Sequence, residues 1–232
     1  MQFPNIPKSR KLVILGDSLF AEVAYECFTR DSEYDVVGFA VEQAYLRKDR
    51  LFGLPVVPIE QMSDYFPPRE HDVYAAIIHT QLNRLRARLA NAAERRGYRL
   101  ASYVSSHAMV WPNAKLGKHC FIFMNNVVQP FATIGDNVVL WNTNIVGHHA
   151  TVRDHVFVTG QVVIPGSCDI GSNCFLGVNT AMADGVTIGQ DCFINLGTMI
   201  TRSLEANKMY RGQPAKPYCD DAREFFKVVV SS

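Results

Sequence analysis

The chain has 232 residues and a formal net charge of +1, from 23 Lys and Arg against 22 Asp and Glu. A balance this close to zero gives no electrostatic footprint for nucleic acid or for an anionic membrane surface. The length allows one large or two small domains, each able to bury a core.

Met1-Gln2-Phe3-Pro4 lacks the basic and then apolar pattern of a secretory leader. No apolar run approaches the roughly 20 residues needed to span a bilayer. The expectation is a cytoplasmic protein with reduced cysteines. Cys120, Cys168, Cys174 and Cys192 form no C-x-x-C pair, which argues against a zinc knuckle.

Residues 11–16 read as a buried parallel strand ending in a glycine turn. Asp17 or Ser18 caps a following helix with Phe20, Val23, Ala24 and Cys27 on its apolar side. A second strand over 35–40 completes a βαβ unit. Strands at 55–57 and 73–78 follow. A helix over 83–96 carries Leu85, Leu89 and Ala92 on one stripe and stops at Gly97, and a last strand spans 99–103. Arg84, Arg86, Arg88, Arg95 and Arg96 on that helix read as a solvated face. The layout is an open, Rossmann-like α/β sheet over 1–103, whose ligands sit at the C-terminal strand ends. Its turn, Gly16-Asp17-Ser18-Leu19-Phe20-Ala21, is not G-x-G-x-x-G, so a dinucleotide site is disfavoured. A looser nucleotide or sugar pocket at Gly16, Asp17 and Ser18, with Asn83 and Arg84 facing it, stands against a plain structural turn.

From Val104 the sequence changes period. Stepping by six gives Val110, Leu116, Ile122, Val128, Ile134, Leu140, Val146, Val152, Val158, Ile164, Ile170, Leu176, Met182, Ile188, Ile194 and Ile200. Four residues after each, from Ala114 to Thr198, stands a small or short-branched residue, the four cysteines among them. The residue just after the aliphatic is often glycine, as at Gly117, Gly135, Gly147, Gly171, Gly177 and Gly189. A period of six fits neither a 3.6-residue helix nor a two-residue strand. Three hexads close one triangular coil of 18 residues, with the aliphatic side chains stacked inside. The glycines are expected to relieve strain at the turns.

With these hexads behind a short α/β domain, residues 11–216 resemble the hexapeptide acyltransferase superfamily. Within it they are similar to the bacterial sialic acid O-acetyltransferase and bacillosamine N-acetyltransferase group. The resemblance implies a left-handed parallel β-helix over 104–203 behind the Rossmann-like domain. It also implies a homotrimer, acetyl-CoA in a groove between neighbouring helices, and a histidine that activates the acceptor. The resemblance sets the stretch 142–154 beside the family's histidine-bearing segment, and His148 takes the catalytic position there.

The chemistry agrees. His148 lies two places after the inward Val146, so it faces outward. An imidazole of ordinary pKa near 6.5 is a suitable base at neutral pH. One coil later stands Gly166, whose N–H is a candidate donor to the oxyanion and to the cofactor. Two departures from the family pattern stand out. The residue after the histidine is often acidic, and here it is His149, a second catalytic candidate. The first turn often carries Gly-His, and here Leu19-Phe20 stand there. His119 and His155 occupy outward slots as surface residues. The spacing of the histidines does not match the γ-class carbonic anhydrase pattern, so no metal is expected.

Met209-Tyr210-Arg211-Gly212-Gln213-Pro214-Ala215-Lys216 resembles the family's closing G-x-P-A-K segment. The resemblance places Arg211, Gly212 and Lys216 near the phosphate end of CoA, with a polar cap on the solenoid as the alternative. The segment 204–232 reads as a cap, with Phe225, Phe226 and Val229 packing back on the body. Taken together, the resemblance implies N-acetylation of a nucleotide-linked amino sugar in surface polysaccharide synthesis. Sugar O-acetylation and a non-catalytic binding role are the alternatives.

Overall fold

The computed structural model describes residues 3–212. Its first part is a six-stranded sheet built from β1 (Arg10–Leu15), β2 (Tyr34–Val41), β3 (Arg50–Leu51), β4 (Leu54–Pro58), β5 (His71–Ala75) and β6 (Arg99–Leu100), in the order β3-β4-β2-β1-β5-β6. Every pairing is parallel except β3 with β4. β1 pairs with β2 on one side and β5 on the other, so the strand order reverses at its C-terminal end, beside Gly16.

Successive side chains of β1 point to opposite faces. Val13 and Leu15 join Leu89, Ala90 and Ala93 of α3 (Arg84–Arg95) in one core. Leu12 and Ile14 join Phe20, Ala24 and Phe28 of α1 (Leu19–Arg30) in the other. Ser18 occupies the N-cap position of α1 without a side-chain cap bond. β5 stops at Ala75, so residues 76–78 run as loop rather than strand. The buried stripe of α3 is Arg86, Leu89, Ala90 and Ala93, while Leu85 and Ala92 are only half-buried.

From Tyr103 the chain winds into a parallel β-helix of two-residue strands, paired up to Ile200 with the strand 18 residues on, as Phe121↔Val139 and Ile122↔Leu140 show. Three sheets of seven, six and five strands form its faces. The six-residue aliphatic series fills the interior. Ile122, Leu140, Val158, Leu176 and Ile194 stack in register beneath the first face and are fully buried. Cys120, Cys168, Cys174 and Cys192 are buried, unpaired thiols in the same core. After Ile200 the chain returns as Met209–Tyr210 on the first face.

The turn geometry corrects the expected role of the glycines. Left-handed backbone recurs every six residues, but at His119, Asn125, Phe131, Asn137, Thr143 and His149 and onward, three places after each aliphatic. The glycines directly after the aliphatics have ordinary φ. They are there because the next coil approaches too closely: a Cβ on Gly147 would lie 2.4 Å from the Pro165 carbonyl carbon, and one on Gly177 would lie 2.6 Å from Leu196 N.

The outward residues of the first face are Tyr103, Phe121, Val139, Phe157, Phe175 and Phe193, and the N-terminal domain lies over them. Phe20 meets Phe121 and Trp141 edge-on at 5.2 and 5.3 Å. Burying one such ring contributes about 1.5–3 kcal/mol.

Candidate active site

His148 follows the strand Ile145–Val146, in the turn between the second and third faces. Its backbone N–H donates to Gln129 Oε1 at 2.9 Å. The ring is exposed to solvent and lies against Gly166, one coil on. A Cβ at 166 would stand 2.6 Å from His148 Cε1 and 2.7 Å from Nε2. Ser167 N–H donates to the His148 carbonyl at 2.9 Å. Gly166 itself is buried, and among the described residues its N–H has no protein acceptor.

His149 is the left-handed residue of the same turn, with φ +58°. Its ring stacks on Phe131, one coil back, at 4.7 Å and 23°. Its Nδ1 lies 3.2 Å from Nδ1 of His148. No group of three or more metal-ligating side chains occurs among the described residues.

Gly16, Asp17 and Ser18 line a cavity of about 340 Å³ at the C-terminal ends of the parallel strands, together with Glu42, Tyr45 and Thr80. Gly16 has φ +113°, a conformation that favours glycine. Lys48 donates to the Asp17 carbonyl at 3.0 Å, and Arg88 forks onto both Glu42 oxygens at 2.9 and 3.0 Å. A larger cleft of about 610 Å³ opens between Leu19 and Phe20 of α1 and the solenoid corner at Trp141, Asn142, Thr159 and Gln161.

Asn83 and Arg84 face elsewhere. Asn83 is fully buried and donates to the Cys174 carbonyl at 3.1 Å, and Arg84 pairs with Asp191 at 2.5 Å. Both side chains are taken up by the joint between the domains. The solvated-face reading fails for Arg86, which is fully buried there. Its guanidinium donates to Asn137 Oδ1 and the Asn137 carbonyl at 2.9 and 3.0 Å, to the Ile77 carbonyl and to Asn83 Oδ1. Burial pulls its pKa down to about 10. Its neighbours in space are carbonyl dipoles, which can hold a cation without a carboxylate.

His119 is not a surface residue either. The Ala75 N–H donates to its Nε2 at 2.9 Å, and its Nδ1 lies 2.8 Å from Asn137 Oδ1. One ring nitrogen accepts and the other donates, so the imidazole is neutral. Burial holds its pKa down at about 3, with nearby Arg86 adding to the shift. Asn137 Nδ2 in turn donates to His155 Nδ1 at 3.0 Å, and His155 is half-buried.

Arg211 is exposed, and Gly212 lies against the Gly197 turn, where a Cβ would be 2.6 Å from the Gly197 carbonyl oxygen. That turn is at the corner between the first and second faces, in line with Trp141, Asn142 and Gln161 rather than with His148. Lys216, Phe225, Phe226 and Val229 lie outside the described residues.

The second face was missed in the sequence. Its outward residues are Met109, Val127, Ile145, Val163, Ala181 and Met199, an uninterrupted apolar stripe. Met109 and Met199 are 60% and 79% exposed. The third face shows Lys115, Thr133, Thr151, Asp169 and Thr187 instead. Reading the residue before each aliphatic at a period of 18 would have found the contrast.

A family profile described as the hexapeptide repeat of succinyl-transferase matches residues 169–202. No curated protein sequence matches the chain. Among solved structures, the acetyltransferase domain of PglB from Neisseria gonorrhoeae FA1090 superposes with a TM-score of 0.78 at 22% identity, covering 90% of this chain and 100% of that one. A histidine-substituted perosamine N-acetyltransferase from Caulobacter crescentus, in complex with CoA and GDP-perosamine, gives 0.79 at 25% identity, covering 90% and 97%. WeeI from Acinetobacter baumannii AYE gives 0.71 at 19%, covering 90% and 99%. The repeat and the superpositions define a left-handed hexapeptide-repeat solenoid behind an α/β domain. This is the architecture of the sugar N-acetyltransferases it superposes on, over nine-tenths of the chain. Among the described residues no helix is long and apolar enough to cross a membrane.

Proposed function

We propose that this chain is an acetyl-CoA-dependent N-acetyltransferase of a nucleotide-linked amino sugar, with His148 as general base. The observation that carries the reading is the exposed His148 ring seated on Gly166 at a corner, beside an N–H that has no partner among the described residues. His148 Nε2 takes a proton from the acceptor amine as its nitrogen attacks the thioester carbonyl. The Gly166 N–H donates to the oxyanion of the tetrahedral intermediate, which collapses with loss of the CoA thiolate. Acetyl-CoA and a nucleotide amino sugar are the ligands because similar structures hold acetyl-CoA, or CoA with GDP-perosamine.

One chain does not complete this site. His148 lies at one edge of the second face, while Arg211, Gly212 and the 610 Å³ cleft lie at the corner on its other edge. The apolar stripe between them favours burial against another copy. Three copies around an axis parallel to the solenoid bring one chain's His148 to the next chain's cleft. A homotrimer is therefore part of the proposal. Arg211 and Lys216 serve the CoA phosphates, and Gly16, Asp17 and Ser18 serve the nucleotide-sugar side. A cytoplasmic place in surface polysaccharide synthesis follows from that substrate class.

The test is thiol release from acetyl-CoA in the presence of nucleotide amino sugars. Release that depends on both the sugar and His148 supports the reading. Release unaffected by His148→Ala contradicts it.

A further inference from the structure

We propose that His149 is a positioning residue for His148: its neutral imidazole accepts the Nδ1–H of His148 and so leaves Nε2 of His148 unprotonated as the base. The inference rests on the reading of His148 as base. Two ring nitrogens 3.2 Å apart attract only if one of them carries a proton. The rings meet edge-on, at 82°, so the in-plane lone pair of one nitrogen can face the N–H of the other. If His149 were the donor, the proton of neutral His148 would sit on Nε2 and the base would be blocked. Among the described residues no carboxylate bonds either ring.

His149 is held in place without charge. Its N–H donates to the Pro130 carbonyl at 3.2 Å, its backbone is left-handed, and its ring lies flat on Phe131. Stacking thus does for this acceptor what hydrogen bonding to a carboxylate does elsewhere. A neutral acceptor fixes the tautomer, but it adds little Coulombic stabilisation to the imidazolium that forms during attack. A carboxylate at 149 supplies both, and is expected to match or exceed the natural residue.

Three variants of the full chain separate orientation from packing in the thiol-release assay. His149→Phe keeps a ring against Phe131 but removes the acceptor. Phe131 itself adopts φ +64° at the equivalent turn position, so this stack tolerates Phe there. His149→Asn and His149→Asp keep an acceptor oxygen and tolerate left-handed backbone. The expected result is a kcat about 10–100-fold lower for His149→Phe with KM for both substrates unchanged, as for loss of a histidine's orienting partner. Recovery of most of the rate is expected in His149→Asn, and of all of it in His149→Asp. Full kcat in His149→Phe overturns the proposal, as does equal loss in all three variants at unchanged melting temperature. An inactive His148→Ala beside a fully active His149→Phe removes only this inference. An active His148→Ala removes the base as well.

Discussion

The imidazole of His148 rests on the α-carbon of Gly166, so closely that a Cβ there would stand 2.6 Å from the ring. Gly166 is not left-handed, so alanine meets no backbone strain at that position, only the ring. Gly166→Ala is expected to push the imidazole aside. A misplacement of about 1 Å costs roughly 10²-fold in rate. Steady-state kinetics should show that loss in kcat, with the melting temperature nearly unchanged because the displaced side chain is exposed.

The stripe on the second face predicts an assembly defect. Ile145 and Val163 are 39% and 38% exposed at its centre. Val163→Asp places a carboxylate in the proposed trimer interface, and a buried unpaired charge is strongly unfavourable. Sedimentation should show the natural chain as a trimer and the variant as a folded monomer. With the site shared between chains as proposed, acetyl transfer should be lost with the assembly. A monomeric natural chain refutes the shared site.

The two kinds of glycine predict opposite outcomes. Gly117→Ala brings a Cβ to within 2.5 Å of Asp136 Oδ1 and of the Gly135 carbonyl carbon. Overpacking of that kind costs about 1–3 kcal/mol. Gly185 has φ +67° and nothing within 4 Å of a Cβ. Gly185→Asn, the residue type already found at turn positions 125, 137, 173 and 179, should be neutral. Urea denaturation of both variants measures the difference.

His119 predicts an acid-sensitive joint. Its folded pKa is depressed to about 3 from 6.5, and His155 is shifted the same way, mainly by burial. For such a group the unfolded chain binds more protons between those two values, so stability is full above pH 6.5 and falls as the pH drops. Arg86, Lys118, Asp136 and Asp154 face this cluster. The loss from His119 alone is about 2 kcal/mol by about pH 5, at about 1.4 kcal/mol per unit. Denaturant midpoints from about pH 7 to 5 should fall accordingly, and His119→Gln should flatten the decline.

The solenoid was legible because its signal is periodic. Residues such as Ile122, Leu140 and Val158 recur in phase, and only a stack of coils needs that spacing. The outward placement of His148 was legible for the same reason, since the phase fixes which side chains face outward; the family resemblance singled it out among them. The position of Gly166 under it follows from adding 18. What stayed hidden depends on how the two domains dock. The spacing of Arg86 with Leu89, Ala90 and Ala93 is a helix stripe, but charge concealed its buried end. The burial of His119 requires knowing that β5 ends beside it, which no spacing within either segment reveals.

The most direct measurement is acetyl-CoA turnover with a panel of nucleotide-linked amino sugars, comparing the natural chain with His148→Ala. If His148 is the base, one or more sugars are acetylated on nitrogen and the variant loses about 10²–10⁴-fold in kcat with the fold intact. Equal turnover by the two proteins, or no transfer to any amino sugar by a trimer that binds acetyl-CoA, would contradict that role.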